Sequence, residues 1–278
     1  MENNNAKGIN YNKDLAIVQA NELVRSRQDD LTLLEAKLIR LAISQVLKDD
    51  KDLKTYTCNI VDLAKFLKIS QDNIYRDIQE LSKSIMKKSI FIKDKEDKKG
   101  GYKIFHWIDF IEYKDGIITF KLSESLEPYL LGLQELFTLY EYDVVISLPT
   151  SNAIRLYELL ASYQNIKFQK TIDHSFTNIK LEKNEILFTI EWLREYFNCK
   201  DKYPNTGDFI KRIIAPSVEA IEKNTIMRME YRTIREKKSI KAIVFSIKSW
   251  MDNPEDYKRI MTKIVEEYRE HRSILKND

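Results

Sequence analysis

The chain has 278 residues, which is enough for two domains of ordinary size. Hydrophobic residues make up 43% and charged residues 32%, and 46 basic against 43 acidic residues leave a net charge of +3. This balance excludes a histone-like protein, so a nucleic-acid site must depend on local clusters of charge. The six glycines form neither the dinucleotide-binding pattern nor the P-loop pattern, which argues against nucleotide binding by those routes.

Metal, catalytic and membrane signals are missing from the sequence. Cys58 and Cys199 are far apart and fit no metal spacing, so we expect both to be reduced. His106, His174 and His271 are scattered and form no HxH or HExxH pattern. The sequence has no apolar signal segment, and no apolar run approaches the roughly 20 residues that span a bilayer. We therefore expect a soluble, cytoplasmic protein without a membrane partner, a cofactor, a metal site or catalytic residues.

The first half of the chain contains a helix-turn-helix pattern. The polar residues 1–13 predict a disordered tail, and Asp14–Arg27 predicts a short strand or extended piece. Thr32 and Glu35 predict a capping box that begins an amphipathic helix over 32–47. The elements expected next are a strand Tyr56–Asn59, a short helix Ile60–Leu67, a tight connection 68–70 and a longer helix from near Ser70 with one apolar face.

Strand patterns follow these two helices. Ser89–Lys93, Tyr102–Tyr113 and Ile117–Leu122 predict strands, and the turn at Asp115-Gly116 is a hairpin signal. A helix-turn-helix followed by a hairpin predicts a winged helix. Residues 124–136 predict a short helix that leads into the second half of the chain.

The second half repeats this plan. The short helix Ile190–Phe197 matches Ile60–Leu67 position for position. The elements around it are a helix Ser151–Gln164, a strand Ile186–Thr189, a loop Asn198–Gly207, a helix Asp208–Lys223, a hairpin of Ile226–Arg235 and Ile240–Lys248, and a last helix Pro254–Leu275. The predicted fold is α+β, with two tandem winged-helix domains at 14–135 and 136–278.

Two basic segments coincide with the predicted hairpin tips. Residues 87–103 contain seven lysines against three acidic residues, and residues 226–241 contain six basic against two acidic residues. Such wings can neutralise DNA phosphates. The alternative is that they are solvated loops that protect edge strands from aggregation. The residues we expect to bind phosphate are Lys87, Lys88, Lys98, Lys99, Arg232, Arg235, Lys237 and Lys238.

The outward faces of the two longer helices could read bases. Asn, Gln and Arg side chains can make paired hydrogen bonds to adenine or guanine edges, and the first turn of a recognition helix usually lies deepest in the groove. The alternative is an ordinary polar helix face. The residues we expect to contact DNA from these helices are Ser70, Gln71, Asn73, Arg76, Lys83, Asn205, Thr206, Lys211 and Arg212.

The chain resembles the initiator replication proteins of iteron-type, theta-replicating plasmids. The segments that carry this resemblance are VQANELV (18–24), LTLLEAKLIRLAISQV (31–46), YKIFHWIDFIEYKDGIITFKLSESLEPYLLGL (102–133), FTLYEYDVVISLPTSNAIRLYELLASY (137–163) and DFIKRIIAPSVEAI (208–221). They lie between residues 15 and 250.

The resemblance implies two winged-helix domains that bind repeated origin sequences in double-stranded DNA. It implies that monomers, in equilibrium with dimers, bind these repeats and that the second domain is a major reader of DNA. It also implies that dimers form through the first domain and repress their own gene, and that the protein helps to open the origin and recruits the host initiator and helicase. It also implies a phosphate contact for Arg155 and a kink at Pro216. Asp72, Asp77 and Glu80 lower the net charge of the first recognition helix. This departure from the family pattern argues against strong phosphate binding by that helix alone and shifts the expected contact to its wing.

Two other functions fit parts of the pattern. A transcriptional repressor with tandem winged helices and no initiator activity would carry the same folds. An enzyme that nicks DNA or processes DNA ends is the other alternative, and the missing histidine motif argues against it.

Overall fold

A computed structural model describes residues 6–11, 15–47, 49–94, 97, 99–163, 170–171, 179–182 and 184–249. The chain divides into two compact units, Met1–Ile146 and Ser147–Asp278. The first unit extends beyond the boundary expected at residue 135, because the strand Phe137–Glu141 pairs in antiparallel register with Ala16–Ala20. Within the described ranges, no helix combines the length and apolar character needed to cross a membrane. The last predicted helix, 254–275, lies outside these ranges.

The helices and strands of the first unit follow the predicted order with few exceptions. The capping box of the first long helix is confirmed, since the Glu35 amide donates to Thr32 Oγ1 at 3.2 Å and the Thr32 amide donates to Glu35 Oε2 at 2.8 Å. Asp14–Arg27 contains a short helix after its strand. The elements are β1 (Lys7–Gly8), β2 (Ala16–Ala20), α1 (Asn21–Val24), β3 (Arg27–Gln28), α2 (Leu33–Ser44), β4 (Thr55–Asn59), α3 (Ile60–Leu67), α4 (Gln71–Ile85), β5 (Ser89–Lys93), β6 (Tyr102–His106), β7 (Ile108–Lys114), β8 (Ile117–Leu122), a 3-10 turn (Glu124–Leu126), α5 (Glu127–Leu130), β9 (Phe137–Glu141) and α6 (Tyr142–Ser147).

The second unit has the same sequence of core elements. Its elements are α7 (Ser151–Ala161), β10 (Lys170–Thr171), β11 (Glu185–Thr189), α8 (Ile190–Tyr196), α9 (Thr206–Phe209), a π turn (Ile210–Ile214), α10 (Ala215–Asn224), β12 (Arg228–Glu236) and β13 (Ser239–Ser249).

The two units have corresponding sheets, which confirms the predicted duplication. The strand order is β1-β4-β8-β7 in the first unit and β10-β11-β13-β12 in the second. In each unit the strand before the helix-turn-helix ends in the residue that caps the next helix. Asn59 Oδ1 accepts from the Val61 amide at 2.8 Å, and Thr189 Oγ1 accepts from the Trp192 amide at 3.1 Å. The core of each unit is therefore a winged helix built around its four-stranded sheet.

The wing of the first unit differs from the one expected. In the second unit the hairpin β12–β13 is the wing, and its strand β13 pairs with β11. The corresponding hairpin in the first unit is β7–β8, whose strand β8 pairs with β4. The basic hairpin β5–β6 belongs to a separate sheet with β3. The prediction that residues 87–103 form the first wing was therefore wrong: β5–β6 is a hairpin inserted between the recognition helix and the wing.

The predicted strand over 102–113 is interrupted at Trp107. This side chain is fully buried, the Trp107 amide donates to the Lys88 carbonyl at 3.4 Å, and its carbonyl accepts from the Ser123 amide at 3.0 Å. The chain passes here from the sheet of β6 to the sheet of β7. A continuous run of strand-forming residues thus serves two sheets.

The expected disordered tail is partly ordered. Lys7–Gly8 pairs in parallel with β4, and the Ile9 amide donates to the Thr57 carbonyl at 3.0 Å. The Tyr11 ring lies 5.1 Å from the Phe66 ring, between centroids. The edge of β4 offers unpaired backbone groups, and their pairing accounts for the order of this segment.

The second recognition helix has a local distortion before Pro216. Residues 210–214 form a π turn between α9 and α10. Pro216 has no amide hydrogen and cannot make the regular bond to the Arg212 carbonyl. This change of helical hydrogen bonding lies where the kink was expected, and such a change is a known cause of helix bending.

Candidate nucleic-acid interface

The first recognition helix, α4, exposes amides and ion pairs. Ser70 caps it, and Ser70 Oγ accepts from the Asn73 amide at 3.3 Å. Arg76 donates to both carboxylate oxygens of Asp77, with Nε at 2.6 Å and Nη2 at 2.9 Å. Lys83 Nζ lies 3.1 Å from Glu80 Oε1. The predicted cations of this helix are thus paired with acids, whereas the side chains of Gln71 and Asn73 in its first turn are exposed.

Three of the predicted lysines of the inserted hairpin are described, and they lie at its base and its tip. Lys87 is exposed, and Lys88 Nζ donates to the Asp30 carbonyl at 2.6 Å. Lys99 is exposed at the tip, where its amide donates to Asp97 Oδ1 at 2.8 Å. Lys98 lies outside the described residues. This hairpin remains a predicted phosphate contact, although it is not the wing.

The second recognition helix, formed by α9, the π turn and α10, presents its basic residues to solvent. Asn205 caps it, and Asn205 Oδ1 accepts from the Gly207 amide at 2.8 Å. Thr206 is half-buried in its first turn, and Lys211 and Arg212 are both exposed. The Arg212 guanidinium carbon lies 5.9 Å from the centroid of the Tyr203 ring. The opposite face is buried and consists of Phe209, Ile210, Ile213, Ile214, Val218 and Ile221.

The second wing carries exposed cations at its tip. Lys237 and Lys238 form the two-residue turn between β12 and β13, and Arg235 lies just before it. Lys237 has a φ of 53°, in the left-handed region that disfavours residues with a Cβ atom. The exposure of these three side chains agrees with the predicted phosphate contact.

Arg232 lies lower on the wing and is paired within the domain. Its Nε donates to Glu185 Oε1 at 3.2 Å, and its Nη2 donates to Glu185 Oε2 at 3.0 Å. These bonds hold the pKa of the Glu185 carboxyl below its ordinary value. The charge of Arg232 is therefore compensated by an acid that sequence reasoning had missed.

Arg155 is also engaged within its own domain. Its Nη2 donates to the Tyr196 carbonyl at 3.1 Å, and its guanidinium lies 3.9 Å from the centroid of the Tyr196 ring. The resemblance had implied a phosphate contact for Arg155. The observed contacts join α7 to α8, and the phosphate contact of Arg155 stays a prediction.

Sequence reasoning also missed Arg194 in α8. Its guanidinium donates to the carbonyls of Lys202 and Tyr203, in the loop before the second recognition helix. No residue pattern announces such contacts, because the acceptors are backbone atoms. The one available signal was the length of that loop, because a long loop needs additional contacts to hold it in one conformation.

Comparisons with known proteins agree with this architecture. Residues 16–161 match the family model for the WH1 domain of initiator replication proteins, and residues 189–247 match the model for their WH2 domain.

Two solved structures also match the chain. A crystal structure of the Pi initiator protein in complex with iteron DNA is 20% identical, covers 85% of this chain and 98% of its own, and has a TM-score of 0.63. At this identity the match shows the fold. A crystal structure of RctB domains 2-3 is 11% identical and covers 78% of this chain and 81% of its own, with a TM-score of 0.40. The WH1 model spans more than half of the 278 residues and the WH2 model follows it, so the chain belongs to the initiator replication protein family.

Proposed function

We propose that the protein initiates plasmid replication by binding repeated origin sequences, or iterons, in double-stranded DNA. The observation that carries this proposal is the duplicated winged helix, with an exposed recognition helix in each unit, in a member of the initiator family. The Pi initiator, which is similar in fold, was crystallised with iteron DNA. The proposal includes opening of the origin, recruitment of the host initiator and helicase, and repression of its own gene by a dimer in equilibrium with the monomer.

The second domain is the principal reader of DNA in this proposal. Lys211 and Arg212 are exposed on the recognition helix, and Arg can bind a guanine edge through two hydrogen bonds. Arg235, Lys237 and Lys238 contact phosphates from the wing. The ordered, buried face of the same helix supports this assignment, because it holds the exposed side chains in one orientation.

The first domain contributes fewer charged contacts. Gln71 and Asn73 in the first turn of α4 contact base edges, whereas Arg76 and Lys83 are paired with acids on the same helix. Lys87, Lys88, Lys98 and Lys99 of the inserted hairpin add phosphate contacts. Distortion of the bound DNA then favours opening of a neighbouring A·T-rich segment, since the cost of deformation depends on sequence.

Binding to the repeats of the parent plasmid tests the proposal. Fluorescence anisotropy with a duplex carrying one candidate repeat, and with a scrambled duplex, is measured at two salt concentrations. We expect at least about a thousandfold preference for the repeat and an affinity that falls steeply with salt. K211A and R212A each reduce the affinity for the repeat, by about 10-fold if the side chain contacts a base edge.

Lys223 provides a matched control for charge removal. It is exposed on the same helix, about 18 Å along the axis from Lys211 at a rise of about 1.5 Å per residue. K223A is expected to bind the repeat like the wild type. Equal affinity for repeat and scrambled DNA would overturn the proposal. Specific binding without replication of a plasmid that lacks its own initiator gene would indicate a repressor, and metal-dependent nicking of supercoiled DNA would indicate an enzyme.

A further inference from the structure

The two helix-turn-helix units differ most in the connection before the recognition helix. In the first unit, α3 ends at Leu67 and α4 begins at Gln71, so the connection is short. In the second unit, α8 ends at Tyr196 and the recognition helix begins at Thr206. Ordering a longer connection costs more conformational entropy, so it requires additional contacts if the next helix is to start in one place.

The longer connection also contains unfavourable backbone geometry. Asn198, with a φ of 48°, lies close to the end of α8, as Lys68 with a φ of 58° does at the end of α3, whereas Tyr203, with a φ of 56°, has no counterpart in the short connection. A residue with a large side chain adopts this region only when its surroundings impose it. Contacts around Tyr203 must therefore hold this conformation.

Arg194 supplies these contacts from α8. Its Nη1 donates to the Lys202 carbonyl at 2.7 Å, and its Nη2 donates to the Tyr203 carbonyl at 2.6 Å. Its guanidinium carbon lies 5.1 Å from the ring centroid of Phe209, a fully buried residue in the first turn of the recognition helix. Ala64 occupies the matching position in α3, where the short connection needs no such brace.

The braced segment supports the DNA-facing residues directly. Tyr203 lies under the Arg212 guanidinium, and the helix cap Asn205 follows two residues later. Displacement of the Tyr203 backbone would therefore move both the first turn of the helix and the ring beneath Arg212. A shift of about 1 Å in the groove is enough to weaken paired hydrogen bonds to a base.

We propose that Arg194 is a positioning residue for DNA recognition, which sets specificity by fixing the start of the second recognition helix and does not itself bind DNA. The inference rests on the proposed function, since it needs a sequence-specific complex. Lysine cannot replace Arg194, because an ammonium group lacks the planar fork that reaches two carbonyls at once.

The test compares R194M and R194K with a matched arginine variant, R228M. Arg228 also binds backbone carbonyls, those of Glu222 and Thr225, but at the far end of the recognition helix. We expect R194M and R194K to lose about 10-fold or more in affinity for the repeat, while affinity for scrambled DNA changes less than about 3-fold. R228M is expected to bind the repeat within about 3-fold of the wild type.

Three outcomes would overturn the inference. Full recovery of affinity in R194K would assign the effect to charge, and a salt dependence reduced by about one counterion would assign it to a phosphate contact. Equal loss for repeat and scrambled DNA would assign it to general instability. Thermal unfolding checks that each variant is folded at the assay temperature. If R194M is not folded, R194K decides, because lysine keeps the positive charge and most of the aliphatic side chain.

The proposed function can fail separately. A wild-type protein that does not distinguish the repeat from scrambled DNA overturns both proposals. A wild-type protein that does so, together with Arg194 variants that discriminate equally well, overturns only the role of Arg194.

Discussion

Arg155 and Tyr196 are joined by two hydrogen bonds that run in opposite directions and by a ring contact. Arg155 Nη2 donates to the Tyr196 carbonyl at 3.1 Å, and the Tyr196 hydroxyl donates to the Arg155 carbonyl at 2.9 Å. The guanidinium carbon lies 3.9 Å from the ring centroid. This pair connects the first helix of the second domain to the first helix of its helix-turn-helix.

Replacing Arg155 therefore tests a structural role against a DNA-binding one. R155M removes the guanidinium hydrogen bond and the cation–π contact, so we expect the free energy of unfolding to fall by about 1–3 kcal/mol. Y196F removes only the hydroxyl bond and should cost about 1 kcal/mol. Urea unfolding and the salt dependence of DNA binding are measured on both variants. Unchanged stability with a shallower salt dependence in R155M would contradict the structural assignment.

The ion pair between Glu185 and Arg232 predicts a pH dependence of stability. Hydrogen bonds from Arg232 lower the pKa of the Glu185 carboxyl from its ordinary value of 4.5. Because the pKa is lower in the folded state, the ionised carboxyl stabilises the folded protein at any pH above its ordinary pKa. This contribution is lost as the pH falls through the pKa of the folded state.

We expect the urea midpoint of the wild type to exceed that of E185Q at pH 7. The gap should narrow once the pH falls below 4.5, because the carboxyl becomes neutral in the wild type as well. Arg232 is 47% exposed, so solvent screening keeps the effect small. A gap that widens with acidification would exclude this origin.

Cys58 offers a probe of the ordered N-terminal segment. Burial raises the pKa of its thiol to about 11, so the reactive thiolate is scarce at neutral pH. We expect slow alkylation by iodoacetamide in the native protein and fast alkylation in urea. Deletion of residues 1–11 removes β1 and Tyr11 and should accelerate native labelling by roughly tenfold, as read from the Cys58 peptide by mass spectrometry. Equal rates would mean that this segment does not protect the thiol.

Substitutions of Lys237 and Lys238 distinguish the effect of backbone conformation from the effect of charge at the tip of the second wing. Its φ of 53° favours glycine, so K237G should stabilise the hairpin by about 0.5–1 kcal/mol while removing one phosphate contact. K238A removes a charge without this conformational gain. Both variants should reduce the salt dependence of DNA binding by about one counterion, and only K237G should raise the unfolding midpoint. Equal midpoints would show that the turn stores no strain.

Local signals in the sequence determined the helices and turns. The capping box of Thr32 and Glu35 marked the start of α2, and the bounds of α3 followed from its apolar positions. Asp115-Gly116 marked the hairpin β7–β8, where both residues have positive φ. The repetition of these patterns was enough to predict two winged helices, because each signal depends on neighbours within a few residues.

Tertiary structure decided which strands pair and which cations are available. A run of strand-forming residues does not encode its partner, so the division at Trp107 and the separate sheet of β5–β6 were visible only in three dimensions. Lys7 and Gly8 are ordered because β4, nearly fifty residues away, accepts them as an edge strand. The folded chain also brings Tyr196 against Arg155 and Glu185 against Arg232, so these two predicted DNA contacts involve side chains that already have partners inside the domain. Periodicity determines the elements, whereas pairing between distant segments determines which of their side chains remain free to bind DNA.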